Sequence, residues 1–240
     1  MAALAGALGL ALSLGGCAGT GEREPPGPGA ADPGAVAALD ARRAALERFA
    51  VTGSLGYWTD EENVTARLDW READGRTELE LVAPLGLGRL ALVEDAGGAT
   101  LARSGAAPVA GPSAGALLQR ELGLAAPIPL GAARDWLRGL PGEGATDVRR
   151  DAAGRLETLL WSDASGARWF ARVRRWTEVD GLELPALVTA RSGDRRLRIA
   201  LSDWRPGEGA APGEEPGRAA PDDPGPGPGA GGGRLGIPGR

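Results

Sequence analysis

The sequence predicts an α+β fold: an antiparallel sheet, wet on one face and apolar on the other, with its helices gathered into separate stretches. Two observations carry this. Apolar residues recur at every second position in several short runs divided by Asp-, Glu-, Asn- and Gly-rich turns, as half-buried antiparallel strands require. Stretches with helical spacing stand before and between blocks of strands, not after each strand, which argues against a parallel βαβ sheet.

The first folded element is a helix over about 36–49. Asp32-Pro33 reads as an N-cap followed by proline at the first helical position, and Val36, Leu39, Leu46 and Phe49 fall near one face. Period two then takes over. Val51, Gly53, Leu55 and Tyr57 form one alternating run, and Val64, Ala66, Leu68 and Trp70 a second. Thr77, Leu79, Leu81 and Ala83 form a third, and Leu90 and Leu92 a fourth. Pro112-Ser113 opens a second helix carrying Leu117, Leu118 and Leu122. Pro127-Ile128-Pro129 interrupts the chain, and Ala133, Trp136, Leu137 and Leu140 mark a third helix stopped by Pro141-Gly142. Strands resume at Leu156 to Trp161, Trp169 to Trp176, Leu187 to Ala190, and Leu197 through Leu201 to Trp204. Turns at Asp163 to Gly166, Asp180-Gly181 and Ser192-Gly193-Asp194 separate them.

The flanks are of a different kind. Residues 1–16 are small and apolar without charge, too short for a bilayer-spanning helix, which needs about 20 apolar residues; they fit a signal peptide. Leu14-Gly15-Gly16-Cys17 resembles the bacterial lipobox, which makes Cys17 the expected site of lipid attachment and of more than one acyl chain. The basic segment usual before an apolar leader is missing, so translation is expected to start upstream. Ala18 after the cysteine is compatible with outer-membrane delivery. Residues 17–34 form a Gly/Pro-rich tether, 35–205 the folded domain, and 206–240 a Gly/Pro-rich tail expected to be disordered.

Composition narrows the function. The 240 residues carry a net charge of −5, which argues against nucleic acid as a partner. There is no histidine and one cysteine, so the commonest general base, the commonest zinc ligand and any intrachain disulfide are missing. Carboxylate- or serine-based chemistry stays open on composition alone, although most of the usual catalytic groups are missing, and no bound cofactor or metal is expected. All 27 basic residues are arginine; alongside 40 Gly and 19 Pro this reads as coding bias, so arginine frequency says little about anion sites. Glu61-Glu62 and Asp222-Asp223 read as solvated surface. Most of the seven tryptophans read as packing at sheet–helix junctions, with Trp58 near a turn a candidate for an interface.

Several stretches, in order, resemble the LolB family. These are Phe49-Ala50-Val51-Thr52-Gly53, Ala66-Arg67-Leu68-Asp69-Trp70, and Leu79-Glu80-Leu81-Val82-Ala83-Pro84-Leu85-Gly86. Farther on come Pro127-Ile128-Pro129-Leu130, Asp135 to Gly142 with its Gly139-Leu140-Pro141 turn, Leu184-Pro185, Leu197-Arg198-Ile199 and Trp204. The resemblance spans about 40 to 205. It implies a half-open antiparallel β-barrel with covering α-helices around an apolar cavity, and the three helices supply the covers. It also implies an outer-membrane lipoprotein, facing the periplasm as a monomer, that receives acylated lipoprotein cargo from the periplasmic carrier LolA and inserts it into outer-membrane lipid. The family's projecting loop falls on Pro84, Leu85 and Gly86, with Leu85 as the membrane-inserting residue. A buried hairpin leucine is the alternative there, and Leu87 is the neighbouring candidate. Leu68, Leu79, Leu81, Leu90 and Leu92 are candidate lining residues for an acyl cavity, although the same residues would equally make a packed core. A general lipid-binding periplasmic lipoprotein of similar fold is the rival reading, and an anchor with a merely packed barrel a third.

Overall fold

The computed structural model describes residues 31–61, 63–84, 88–124, 126–163 and 166–209. Cys17, Leu85, Gly86 and Leu87, with the leader and most of the tether and tail, lie outside the described residues.

Among the described residues eleven strands form one antiparallel sheet. Six come first: β1 (Phe49–Trp58), β2 (Asn63–Ala73), β3 (Arg76–Val82), β4 (Arg89–Asp95), β5 (Gly98–Arg103) and β6 (Val109–Gly111). Five close the chain: β7 (Ala145–Arg150), β8 (Leu156–Ser162), β9 (Arg168–Val179), β10 (Leu182–Ser192) and β11 (Arg195–Pro206). Each block is a meander, and pairing of β1 with β11 welds them into the order β6-β5-β4-β3-β2-β1-β11-β10-β9-β8-β7. The end strands β6 and β7 are not paired to one another, so the sheet curves without closing, as the half-open barrel requires.

The helices are α1 (Pro33–Ala44), α2 (Ala114–Leu122) and α3 (Leu130–Arg138). Asp32 caps α1, its carboxylate accepting from the amides of Gly34 and Ala35 at 3.3 and 3.0 Å with Pro33 at the first turn. α1 stops at Ala44 instead of running to Phe49, because Phe49 is claimed by the sheet, where it faces both Glu72 and Pro206. α2 starts on Ser113, whose hydroxyl accepts from the Ala116 amide at 3.2 Å. α3 begins at Leu130, earlier than the apolar spacing places it. It ends before Gly139, where φ of +77° takes the chain out of the helix.

Three strands were not legible in the periodicity. β5 has a single large inward residue, Leu101, beside Ala99 and Ala102, and β6 is three residues long with none buried, so neither shows a run of alternating apolar residues. β7 is an edge strand exposed over its middle, with an irregular register against β8 and Asp147 at φ +48°, so it has no apolar face to announce it.

α2 and α3 lie on the apolar face. Leu117, Leu118, Ala133, Trp136 and Leu137 are buried in one cluster with Leu55, Leu68, Leu101, Trp169, Val188 and Ile199 of the sheet. α2 rests on β4, β5 and β6, and α3 on β10, so together they bridge the two blocks. α1 is held differently from the apolar cover expected of it. Its one buried residue is Arg43, which donates to the Glu183 carbonyl and stacks on Trp176 at 4.5 Å. Burial pushes the Arg43 guanidinium below its ordinary pKa, against the opposing pull of Asp40. Asp40 also binds Arg150 of β7. Val36, Leu39 and Leu46 remain half-buried.

Candidate functional site

Register places the five candidate leucines. Trp70, Leu79, Leu92 and Leu101 stand opposite one another on successive strands β2 to β5. One step nearer the β3–β4 loop, Leu68, Leu81 and Leu90 form a parallel row. Leu68, Leu79, Leu81 and Leu92 are at most 3% exposed, while Leu90 is half-buried. The two rows share the face that α2 and α3 cover.

A cavity of about 280 Å³ opens between the first row and the helices. Trp70, Leu79 and Leu92 form its floor. Ala114 at the start of α2, and Leu130 and Gly131 at the start of α3, form its roof. Leu79 and Leu92 therefore reach this space, whereas Leu68, Leu81 and Leu90 continue the apolar face beyond it. The volume falls just short of the roughly 300–1,000 Å³ of small-molecule sites. A long acyl chain needs the roof to lift.

The roof is fastened by two carboxylates. Glu72, 4% exposed, accepts from Trp70 Nε1 at 2.8 Å, Thr77 Oγ1 at 2.7 Å and Arg134 Nε of α3 at 3.0 Å. Arg134 also donates to Thr77. Glu94 accepts from the Ala114 amide of α2 at 3.4 Å. Polar contacts thus tie both roofing helices to the sheet at the cavity wall, α3 through Arg134 to Glu72 and Thr77, and α2 through the Ala114 amide to Glu94. Sequence reasoning missed Trp70, Glu72, Thr77 and Arg134 as cavity residues. The available signal was in register: counting by two from Leu68 through Trp70 places Glu72 on the apolar face, where a carboxylate needs partners.

Of the loop residues only Pro84 is described; it is exposed. The Ala83 amide donates to the Gly88 carbonyl at 2.9 Å, closing the base of the segment that carries Leu85. Pairing of Val82 with Arg89 puts this loop at the end of β3 remote from Thr77 and the cavity. The remaining tryptophans largely pack. Trp136 of α3 meets Trp161 of β8 edge-on at 5.9 Å, and Trp204 tilts against Phe49 at 5.3 Å. Among the described residues no cluster of side chains could hold a metal ion, and no helix is long and apolar enough to cross a membrane.

An open antiparallel sheet roofed by two short helices over an apolar cavity defines a protein of the half-open barrel class. The family model described as outer membrane lipoprotein LolB matches residues 47–204. An outer-membrane lipoprotein LolB from Klebsiella pneumoniae is 31% identical over 160 residues, 66% of this chain and 77% of the relative. One from Halorhodospira halophila is 33% identical over 168 residues, 68% and 77% of the two chains. A LolA superfamily protein from Nitrosomonas europaea has a TM-score of 0.48 at 11% identity, covering 73% of this chain and 93% of its own. The chain belongs to the LolB family, a family of outer-membrane lipoproteins and not of enzymes.

Proposed function

We propose that this protein receives lipoproteins from the periplasmic carrier LolA and passes their acyl chains into the outer membrane, anchored there through Cys17 and facing the periplasm. The observation that carries the reading is the cavity between the Trp70–Leu79–Leu92 row and the roof of α2 and α3. Apolar surface removed from water contributes roughly 25 cal/mol per Å², so an acyl chain gains by entering once the roof lifts. The fastenings at Glu72 and Glu94 are few, as a roof that opens and recloses requires.

The Leu68–Leu81–Leu90 row runs from the cavity toward the loop that holds Leu85. Chains leaving the cavity along this row would meet the bilayer where Leu85 enters it. No nucleotide is needed at this step. Direction comes from graded affinity, with each 1.4 kcal/mol shifting the partition tenfold; LolA holds the chains least tightly and the bilayer most tightly.

The test is a transfer assay in which LolA loaded with an acylated lipoprotein is mixed with the full chain. Cargo should move to this protein in stoichiometric amount. Cargo that stays on LolA, while the chain carries one bound phospholipid in native mass spectrometry, would replace this reading with that of a general lipid-binding lipoprotein.

A further inference from the structure

The outer face of the sheet, opposite the helices, bears a second concavity of about 830 Å³ across β9, β10, β11 and the β1–β2 turn. Trp58 and Phe170 wall it, and Arg174, Arg191, Arg196 and Arg198 project along it. All four arginines are exposed. They point away from the core because their neighbours in the strands, Val173, Ala190 and Leu197, are buried in it. The Trp58 ring folds back over Gly56, where a Cβ would lie 2.1 Å from it.

Two features distinguish this groove from scattered surface arginine. First, Arg191 and Arg196 stand directly opposite each other across β10 and β11, an arrangement that destabilises a sheet unless an anion intervenes. Among the described residues no carboxylate pairs with either, nor with Arg174 or Arg198. Arg191 lies over the Phe170 ring at 5.2 Å, and the fifth arginine of the groove, Arg172, is matched by Glu157 at 3.0 Å. Asp60 and Glu61 belong to the turn at one end of the groove and leave the cations in excess. In a chain of net charge −5, this local excess runs against the whole. Second, the groove has an address. Trp58 pairs with Asn63 and Arg196, and Arg67 with Val82, so the β1–β2 and β10–β11 turns lie at the same end of the sheet as the Pro84 loop.

We propose that this groove is a docking surface for the phosphates of an anionic lipid bilayer. Guanidinium matches phosphate oxygens two at a time, and an indole at the rim suits the headgroup layer. Exposed cations spread over three strands fit an extended charged surface better than one small anion. The inference rests on the proposed function only for orientation: a loop that enters the bilayer at Leu85 brings this end of the sheet to headgroup depth.

The experiment is co-sedimentation of the full chain carrying Cys17→Ser, so that no acyl anchor tethers it, with vesicles. Binding should be stronger to mixed phosphatidylcholine–phosphatidylglycerol vesicles than to pure phosphatidylcholine, and should weaken with salt. Arg196→Gln with Arg198→Gln should reduce binding to the anionic vesicles by about 25-fold, roughly fivefold per cation. Lysine at both positions should retain most of it. Equal binding to both vesicle types, or an unchanged affinity in the double glutamine variant with its circular dichroism intact, overturns the proposal. Displacement by an equal concentration of free inorganic phosphate also overturns it, in favour of a small-anion site. A chain that prefers anionic vesicles yet takes no cargo from LolA supports this inference while refuting the proposed function.

Discussion

Glu72 is the residue on which the roof depends most. Its carboxylate is buried and satisfied by three donors, one of them on α3. Arg134→Ala removes the donations that cross from α3 to Glu72 and Thr77 of the sheet, and leaves the Trp70 and Thr77 bonds to Glu72 in place. Because Arg134 is about a third exposed, solvent screens the pair. The expected loss is about 1–2 kcal/mol, or roughly 2–4 °C in melting temperature per kcal/mol for a domain of this size. The same variant should take up a fluorescent fatty acid faster than the parent, because a roof fastening is gone. An unchanged uptake rate would detach this contact from gating.

Leu85 belongs to the same scale and makes a different prediction. Leu85→Glu should still accept cargo from LolA but deliver it poorly to vesicles, since a charge at the loop tip opposes entry into the bilayer. Unchanged delivery would remove the membrane role from this loop. The proposal for Leu85 rests on the resemblance of Pro84-Leu85-Gly86 to the family's projecting loop, since periodicity does not single this residue out. The leucines at 68, 79, 81, 90 and 92 were legible as one apolar face. Which of them reach the cavity was not, because that depends on where α2 and α3 settle.

At the scale of elements, alternation revealed the strands with repeated large inward residues and passed over those with one or none, such as β5 with Leu101 alone. β1, β2 and β3 declare themselves through Val51, Leu68, Trp70 and Leu79, whereas β7 buries nothing across its middle. The first helix was legible by its cap and misjudged in length, since Phe49 satisfies either a helix face or a strand and only pairing decides. β1 also carries a tight constraint. At Gly53, beside a register shift against β11, a Cβ would lie 2.0 Å from the Ala200 carbonyl oxygen. Gly53→Ala should therefore cost about 3 kcal/mol, as overpacking against rigid backbone does, and chemical denaturation will read it directly. For α1, Arg43→Lys loses the planar group stacked on Trp176 and the paired donation to Glu183. We expect it to destabilise the domain by about 1–2 kcal/mol, with the drop appearing as a lower denaturation midpoint. A neutral effect would mean that α1 is not held by this contact.

The molecule as a whole is a sheet with two ends that do not meet, and its interior is divided between core and cavity. The fully buried Leu117, Leu118, Trp136 and Leu137 on the roofing helices pack against the sheet inside the curve. The cavity between floor and roof measures about 280 Å³. Sequence patterning predicts the one-sided sheet and the separate helices, and the family resemblance implies the curve and the cover, but whether the inside is full or hollow depends on side-chain volumes in three dimensions. The cavity is small for a long acyl chain, and the proposed activity needs α2 and α3 to move as a lid over a preformed apolar floor. The central claim is therefore that acyl chains lie against that floor during transfer. Cargo whose acyl chain carries a photoreactive diazirine can be moved from LolA onto the full chain and irradiated, and the labelled peptides sequenced. Crosslinks on the segments containing Leu79 and Leu92 are the predicted result. Crosslinks confined to the outer face of the sheet, with the cavity floor unlabelled while cargo is bound, would contradict it.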